Sequence, residues 1–435
     1  MTRQTDRRAR RVDRLQNLTI LLLTLSMLLL IAGLPVFGAL SDSSLIELAR
    51  ARRRMENAPL AVERSGVSSL VFPVRIVYTN DFARVGTDAL TTVSDEFERA
   101  GTFLGEALGS AAAAVPVRDA QCLSALTGEG VYFDFTAALS AEVLSELLGV
   151  SPPDETIGGV RRVLLSPEDK PEATLYMQDG AGRSWCCATA VSSAELTEFL
   201  ATRSGSGAEF AFLLGDAFAQ LSPYTVILSD PAPRAALSAA NVLSGNEDTI
   251  LRRAEFNAHT ENRFTESSGT VIVRESSNAL YLRPDSVVEY LGGEATRESV
   301  YYVAADTGKP TLAECAAAVQ NLAVTLLQGL LGDAALYLSG ASRDGERTEA
   351  CFDLMVNGTP LRRSDGAHAG VVTIEGQYIT AFTFSVRSYT TQEAVPLLLP
   401  FAQAAAIARV YPGTELIVAY IDTGAEEVLP VWIAE

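Results

Sequence analysis

A 23-residue run from Leu18 to Leu40 carries no charged side chain, and this stretch constrains the chain more than any other feature. As a helix it would span about 35 Å at ~1.5 Å per residue, enough to cross a bilayer core of ~30 Å. Arg3, Arg7, Arg8, Arg10, Arg11 and Arg14 precede it, against only Asp6 and Asp13. That excess of arginine orients the N-terminus toward the cytoplasm and puts everything after Leu40 outside. A cleaved signal peptide would have an apolar region of ~7–15 residues followed by a small-residue cleavage site. Here the run is longer, Val36 and Gly38 make only a weak cleavage pair, and no Cys stands near its end for lipidation. The expectation is an uncleaved single-pass anchor. Arg50, Arg52, Arg53 and Arg54 lie inside an expected helix from Ser44 to Glu56; they weaken the charge asymmetry without reversing it.

Beyond the anchor, 28 basic residues face 51 acidic ones, a net charge of −23 on the exported body. Such a body is repelled by anionic lipid headgroups and offers no positive field to a phosphate backbone, so no nucleic acid is expected as a partner. The whole chain holds two His (His259, His368) and two Lys (Lys170, Lys309), which leaves little for histidine- or lysine-based catalysis. Five cysteines, Cys122, Cys186, Cys187, Cys315 and Cys351, are too few and scattered for a disulfide scaffold in a chain of this length. They read mainly as buried small hydrophobes, with a Cys315–Cys351 pair as the alternative. Adjacent Cys186 and Cys187 would face opposite sides of a strand and are poor joint metal ligands.

Apolar periodicity divides the chain into residues 1–17 (basic tail), 18–40 (span), 41–66 (juxtamembrane helix and linker), and three exported blocks at 67–206, 207–308 and 309–435. In the first block, Ser69 to Tyr78 reads as a strand made edge-like or interrupted by Pro73. Leu90, Val93, Phe97, Ala100, Leu104 and Leu108 mark one face of a helix. Val131 to Phe135 reads as a strand, Ala137 to Leu148 as a helix, and the residues around Gln178 to Arg183 as a hairpin turn. Ser192 and Glu195 form an N-terminal capping signal. Ser204 to Gly207 marks the first boundary and Gly308 to Pro310 the second. Between them fall strands at TVIVRE, NALYLRP and SVYYVA and a helix near Glu247 to Phe256. The last block opens with a Thr311/Glu314 capping box and a helix ending at Gly332. Strands ALYLSGA, EACFDLMV, GVVTI and YITAFTFSVRSY follow, with turns at Asn357-Gly358 and Glu375-Gly376. A helix over Ala394 to Arg409 and the strands TELIVAYI and VLPVWIA close it. The fold class is therefore α+β: one N-terminal transmembrane helix followed by two or three small domains of antiparallel sheet packed with helices.

No G-x-S-x-G, H-E-x-x-H, C-x-x-C, S-x-x-K or phosphate-binding loop is present. Gly180-Ala181-Gly182 is a turn, and His259 and His368 lie in polar loops as surface residues. Asp95-Glu96 and Glu426-Glu427 have the character of solvated faces. Two carboxylates need only meet in space to form a glycosidase-like pair, so an anchored envelope hydrolase stays an alternative. Tyr420, Pro430 and Trp432 form an aromatic cluster, read first as a strand pair closing the last sheet and second as a ligand platform. No catalytic residue, cofactor or metal is assigned.

Five segments carry a resemblance: Thr270 to Tyr290, the helix from Thr311, Phe352 to Leu361, the EGQYITAFTFSVRSY arm, and the closing LIVAYIDTGAEEVLPVWIAE. In these, and in the order of tail, span and exported body, the chain resembles the YycH and YycI families of Gram-positive bacteria over about half its length. What the resemblance implies is a non-enzymatic, membrane-anchored regulator. Such a protein associates with a WalK-type (VicK) sensor histidine kinase controlling cell-wall metabolism, with a second YycH/YycI-like regulator as a further partner. Thr24, Ser26 and Gly33 are the small or polar positions in the span that suit close packing against a partner helix. A structural scaffold of wall assembly is the remaining alternative.

Overall fold

Arg75–Asn80 is buried nearly throughout, Arg75 and Thr79 included, the signature of an interior strand covered on both faces. In the computed structural model, which describes residues 73–80, 83–87, 90–150, 159–204, 207–229, 231–293, 299, 301–303, 309–408 and 412–435, this strand, β1, lies between two neighbours. Pro73 precedes it by two residues, so the missing N–H falls outside the ladder and β1 is neither an edge nor interrupted. Residues 1–66, with the expected span and Thr24, Ser26 and Gly33, lie outside the described residues. Among the described residues no helix is long and apolar enough to cross a membrane.

The first block supplies β1, β2 (Ala83–Thr87), α1 (Leu90–Ser110), β3 (Val115–Val117), α2 (Asp119–Ala125), β4 (Gly130–Leu139), α3 (Ala141–Leu147), β5 (Val160–Ser166), β6 (Glu172–Asp179), β7 (Ser184–Ser192) and α4 (Ser193–Ala201). Its seven strands form an antiparallel sheet in the order β2-β1-β4-β5-β6-β7-β3. The α1 stripe turns inward as its spacing predicts, with Phe97, Ala100, Leu104 and Leu108 buried. Ser192 caps α4 by accepting from the Glu195 N–H at 3.4 Å. The expected helix from Ala137 begins instead at Ala141. The preceding residues continue β4 because Leu139 pairs with Val160, and Ser140 then caps the helix by accepting from the Val143 N–H. Here pairing partners distant in sequence override the helical preference of an alanine-rich stretch.

The middle block contributes β8 (Ala208–Phe210), β9 (Val226–Leu228), β10 (Leu237–Asn241), α5 (Glu247–Arg253) and the strands β11 (Arg263–Thr265), β12 (Val271–Glu275), β13 (Asn278–Arg283) and β14 (Val287–Leu291). The last block adds α6 (Leu312–Leu327), β15 (Ala334–Asp344), β16 (Arg347–Val356), β17 (Thr359–Arg363), β18 (Gly370–Glu375), β19 (Tyr378–Ser385), β20 (Arg387–Thr391), α7 (Phe401–Ala408), β21 (Leu416–Asp422), β22 (Glu427–Val428) and β23 (Pro430–Ala434). The Thr311/Glu314 box is complete, with both reciprocal hydrogen bonds made. Asn357 and Gly358 both have positive φ, 49° and 76°, as the tight β16–β17 hairpin requires.

The 308/309 boundary is not a break in the packing. An eleven-stranded sheet runs β11-β12-β13-β14-β19-β18-β16-β17-β21-β23, with β15 also on β16, and so joins middle-block and last-block strands through the antiparallel pair β14–β19. A three-stranded sheet likewise places β10 between β20 and β22. Tyr290 stacks on Phe382 at 5.0 Å across the same boundary. Helix α3 of the first block packs on α6 of the last, and one hydrophobic core cluster includes residues of all three blocks. The physical reason is that β14 and β19 each bury a row of aromatic and aliphatic side chains that a separate domain would leave exposed. The described residues, from 73 onward, belong to one compact unit.

Candidate functional site

Two prolines decide the shape of the region that stands out. The helix expected over Ala394 to Arg409 forms only from Phe401, because Pro396 and Pro400 forbid the helical hydrogen-bond ladder before it. Pro400 instead sits at the helix start, its carbonyl accepting from the Gln403 and Ala404 N–H groups. Residues 394–400 are released as an irregular wall carrying Val395, Leu397 and Leu399 exposed to solvent, Leu397 completely so at 101%.

Between this wall, residues 231–234, the first residues of β21 and Trp432 lies a cleft of about 440 Å³. That volume is within the ~300–1,000 Å³ typical of ligand sites. Trp432 closes one side: its indole N–H donates to the Leu399 carbonyl at 2.9 Å, and its ring meets Phe401 edge-on at 5.5 Å. The aromatic cluster near the terminus is thus divided. β21 and β23 do pair, with Tyr420 opposite Pro430 and Val418 opposite Trp432. Trp432 lines the cleft, whereas Tyr420 is buried and braces the 231–235 segment through its hydroxyl, which donates to the Ala235 carbonyl at 2.7 Å.

Behind the cleft stands an ion network that sequence reasoning missed. Arg75 reaches Asp134 Oδ2 and Glu415 Oε1 at 2.6 Å each, and Arg161 and Arg162 reach Glu415 Oε2 at 2.8 and 2.7 Å. The strands explain this convergence. Arg75, Asp134 and Arg162 are register partners across β1, β4 and β5. Neighbouring residues of a strand ordinarily face opposite ways, but a register shift between Val160 and Arg162 lets Arg161 and Arg162 both aim at Glu415. Glu415 is delivered from the last block, its backbone paired in both directions with Glu435. The network therefore ties the seven-stranded sheet to the eleven-stranded one. Burial alone would raise the Glu415 carboxyl, but three guanidiniums hold it well below the usual range. Burial and the neighbouring Glu415 charge push Asp134 the other way. A signal was present in the sequence: Arg75 and Asp134 are lone charges inside otherwise apolar strand segments, and such charges are buried only when paired.

Asp134 and Glu415 are converging carboxylates, yet their side chains are each only 1% exposed and locked among arginines. Arg75 stands between them and the cleft; among the described residues no acid lines it. General acid and base work needs contact with a substrate proton, and this arrangement withholds it.

His368 is less isolated than its loop suggested. Its Nδ1 lies 3.2 Å from both Asp353 carboxylate oxygens and 3.4 Å from Ser339 Oγ, and Arg362 also holds Asp353. A serine nucleophile would need the second ring nitrogen. Both partners here share Nδ1, so the trio is an anchor for the loop. Cys122, Cys186, Cys315 and Cys351 form no disulfide. Thr348, beside which Cys315 lies, is buried on one face of β16, and Cys351, an odd number of residues along, faces the other. That geometry separates the Cys315–Cys351 alternative. Burial pushes the thiols of Cys122, Cys186, Cys315 and Cys351 upward, the last to about 11, so these are poor nucleophiles. Among the described residues no group of three or more His, Cys, Asp or Glu side chains is placed to hold a metal.

No family model and no curated protein matches the chain. Among solved structures, the crystal structure of YycH from Bacillus subtilis is similar with a TM-score of 0.52 at 10% identity, over 85% of this chain and 95% of that one. A likeness of that extent at that identity concerns architecture: the described body, sheets packed with helices, has a YycH-like α+β fold.

Proposed function

We propose that this chain is a membrane-anchored regulatory protein that binds a sensor histidine kinase controlling cell-wall metabolism and modulates its output without catalysing a reaction. The observation that carries this reading is the YycH-like fold across most of both chains. The N-terminus lies in the cytoplasm, Leu18–Leu40 crosses the membrane, and the α+β body stands outside. Thr24, Ser26 and Gly33 form the face that meets a kinase helix, and a second YycH/YycI-like regulator shares the assembly. Anchoring in a common membrane raises the effective concentration of the partners, so a modest contact suffices. The apolar lining of the cleft, with the nearest carboxylates buried behind it among arginines, suits binding better than hydrolysis.

The test is photo-crosslinking in native membranes with probes at Ser26 and at Leu397, a fully exposed position. Capture of a sensor kinase at Ser26, with loss of kinase regulation when the span is exchanged for an unrelated helix, is the expected result. Capture of wall-synthesis proteins alone would overturn it in favour of a scaffold, and regulation unaffected by the exchange would remove the span from the mechanism.

A further inference from the structure

The floor of the cleft beside Trp432 is an incomplete sheet edge. Glu415 and Glu435 exchange both backbone hydrogen bonds, and in an antiparallel pair such bonded positions alternate. Glu415, Ile417 and Ala419 therefore turn their main-chain groups to β23, and Leu416, Val418 and Tyr420 turn theirs to the opposite side. On that side β17 joins only from Tyr420, which pairs with Leu361. One step earlier the parallel ladder would need an N–H from residue 360 to meet the Val418 carbonyl, and Pro360 has none. β17 departs there into the Asn357-Gly358 turn toward β16. Among the described residues no hydrogen bond reaches the cleft-side main-chain groups of Leu416 and Val418. Leu416, Val418, Gly358 and Pro360 all line the cleft. Its two arginines are engaged elsewhere, Arg75 by Asp134 and Glu415, Arg234 by the Ala232 carbonyl and further contacts. The site therefore selects main-chain groups with apolar side chains, not a charge.

The occupant follows from where the described chain begins. Val74 and Arg75 line the same cleft, and Arg75 holds Glu415, the residue next to Leu416. The six residues before Pro73, Val67-Ser68-Ser69-Leu70-Val71-Phe72, are uncharged, include β-branched and aromatic side chains, and lack Gly and Pro. Extended, they reach about 20 Å at ~3.3 Å per residue, and attachment at the cleft gives them a higher effective concentration than a peptide in solution. We propose that residues 67–72 dock in this cleft as an added strand on the Leu416–Val418 edge. Leu70 and Phe72, two apart and so on one face, lie against the proline-broken wall. The docked segment fixes the point where the juxtamembrane linker leaves the body, whatever partner that body binds.

The experiment follows amide hydrogen exchange on the full chain in its membrane, read by mass spectrometry at single residues. In the parent, the Leu416 and Val418 amides should exchange at least tenfold more slowly than in Leu70→Asp, while the amides of β6 in the other sheet keep their rates as the check on folding. Ser69→Asp, the same charge on the opposite face of the segment, should behave as the parent. A synthetic peptide of residues 67–73 should bind Leu70→Asp and restore slow exchange at Leu416 and Val418, and should not bind the parent. A chain carrying Leu70→Cys with Leu398→Cys should close a disulfide within one molecule under oxidised glutathione; should β6 lose its protection in Leu70→Asp, this cross-link decides alone. Exchange at Leu416 and Val418 unchanged by Leu70→Asp, binding of the peptide to the parent, or absence of the cross-link would each overturn the proposal. So would a cross-link formed only between two chains, which would assign the edge to a second copy.

Discussion

Replacing Glu415 by Gln removes the one charge that three arginines share. In the folded protein Glu415 accepts from Arg75 at 2.6 Å, Arg161 at 2.8 Å and Arg162 at 2.7 Å, while Asp134 retains only Arg75 as a hydrogen-bonded partner. The variant leaves two buried guanidiniums facing a neutral amide. Breaking one side of a buried ion network costs about 3–5 kcal/mol. The surviving Arg75–Asp134 pair places this case near ~3 kcal/mol, about two decades in the folding equilibrium at ~1.4 kcal/mol per decade. With an m-value near ~3 kcal/mol/M the urea midpoint falls by about 1 M. The two tryptophans make the assay specific, because Trp185 lies in β7 of the seven-stranded sheet and Trp432 in β23 of the eleven-stranded one. Selective excitation of single-tryptophan versions reports each sheet separately. Their transitions should coincide in the parent and separate in Glu415→Gln, since the lost contact is between the sheets. The sign with pH follows from the depressed Glu415 carboxyl. Its contribution is present above the ordinary glutamate range near ~4.3 and is lost as pH falls through its lower folded value; the variant should lack that acid-limb loss. A midpoint shift under about 0.3 M with coincident transitions would refute the view that this network couples the sheets.

Other consequences are more local. Gly332 has φ of 67°, and a Cβ there would lie 2.3 Å from the Tyr389 carbonyl oxygen, so Gly332→Ala should lose about 2 kcal/mol or more by thermal unfolding. Cys351 and the other raised thiols should react with a disulfide reagent at pH 8 at least tenfold more slowly in the native protein than in urea; equal rates would place them in the wrong environment. Leu397→Glu, at a fully exposed position, should leave the unfolding free energy within ~0.5 kcal/mol of the parent while reducing partner capture at the wall; a large loss of stability would mean that Leu397 is packed.

Local patterns in the sequence were enough for many elements. The α1 stripe, the Thr311/Glu314 box, the Asn357-Gly358 turn and the hairpin around Gly182 all form where their spacing and turn chemistry put them, because each is decided by residues within a few positions of one another. Pro396 and Pro400 also announced that no helix could run from Ala394, though the apolar run concealed it. Other features depended on partners far along the chain. Leu139 extends β4 only because Val160 lies beside it, and β14 seeks β19 only because both bury the row holding Tyr290 and Phe382. The cleft exists because the proline-broken wall, the 231–234 segment and Trp432 are brought together by the order of strands in the sheets.

The sequence by itself determined the α+β character, the local caps and turns, and the apolar stretch that gives the chain its expected anchor, since these follow from periodicity and composition over short windows. Only the tertiary structure decided that the three blocks after the apolar stretch share one core and that Arg75, Asp134, Arg161, Arg162 and Glu415 meet. Charges separated by as many as 340 positions leave no periodic trace: their pairing is set by strand register and by desolvation, and both exist only once the sheets have formed.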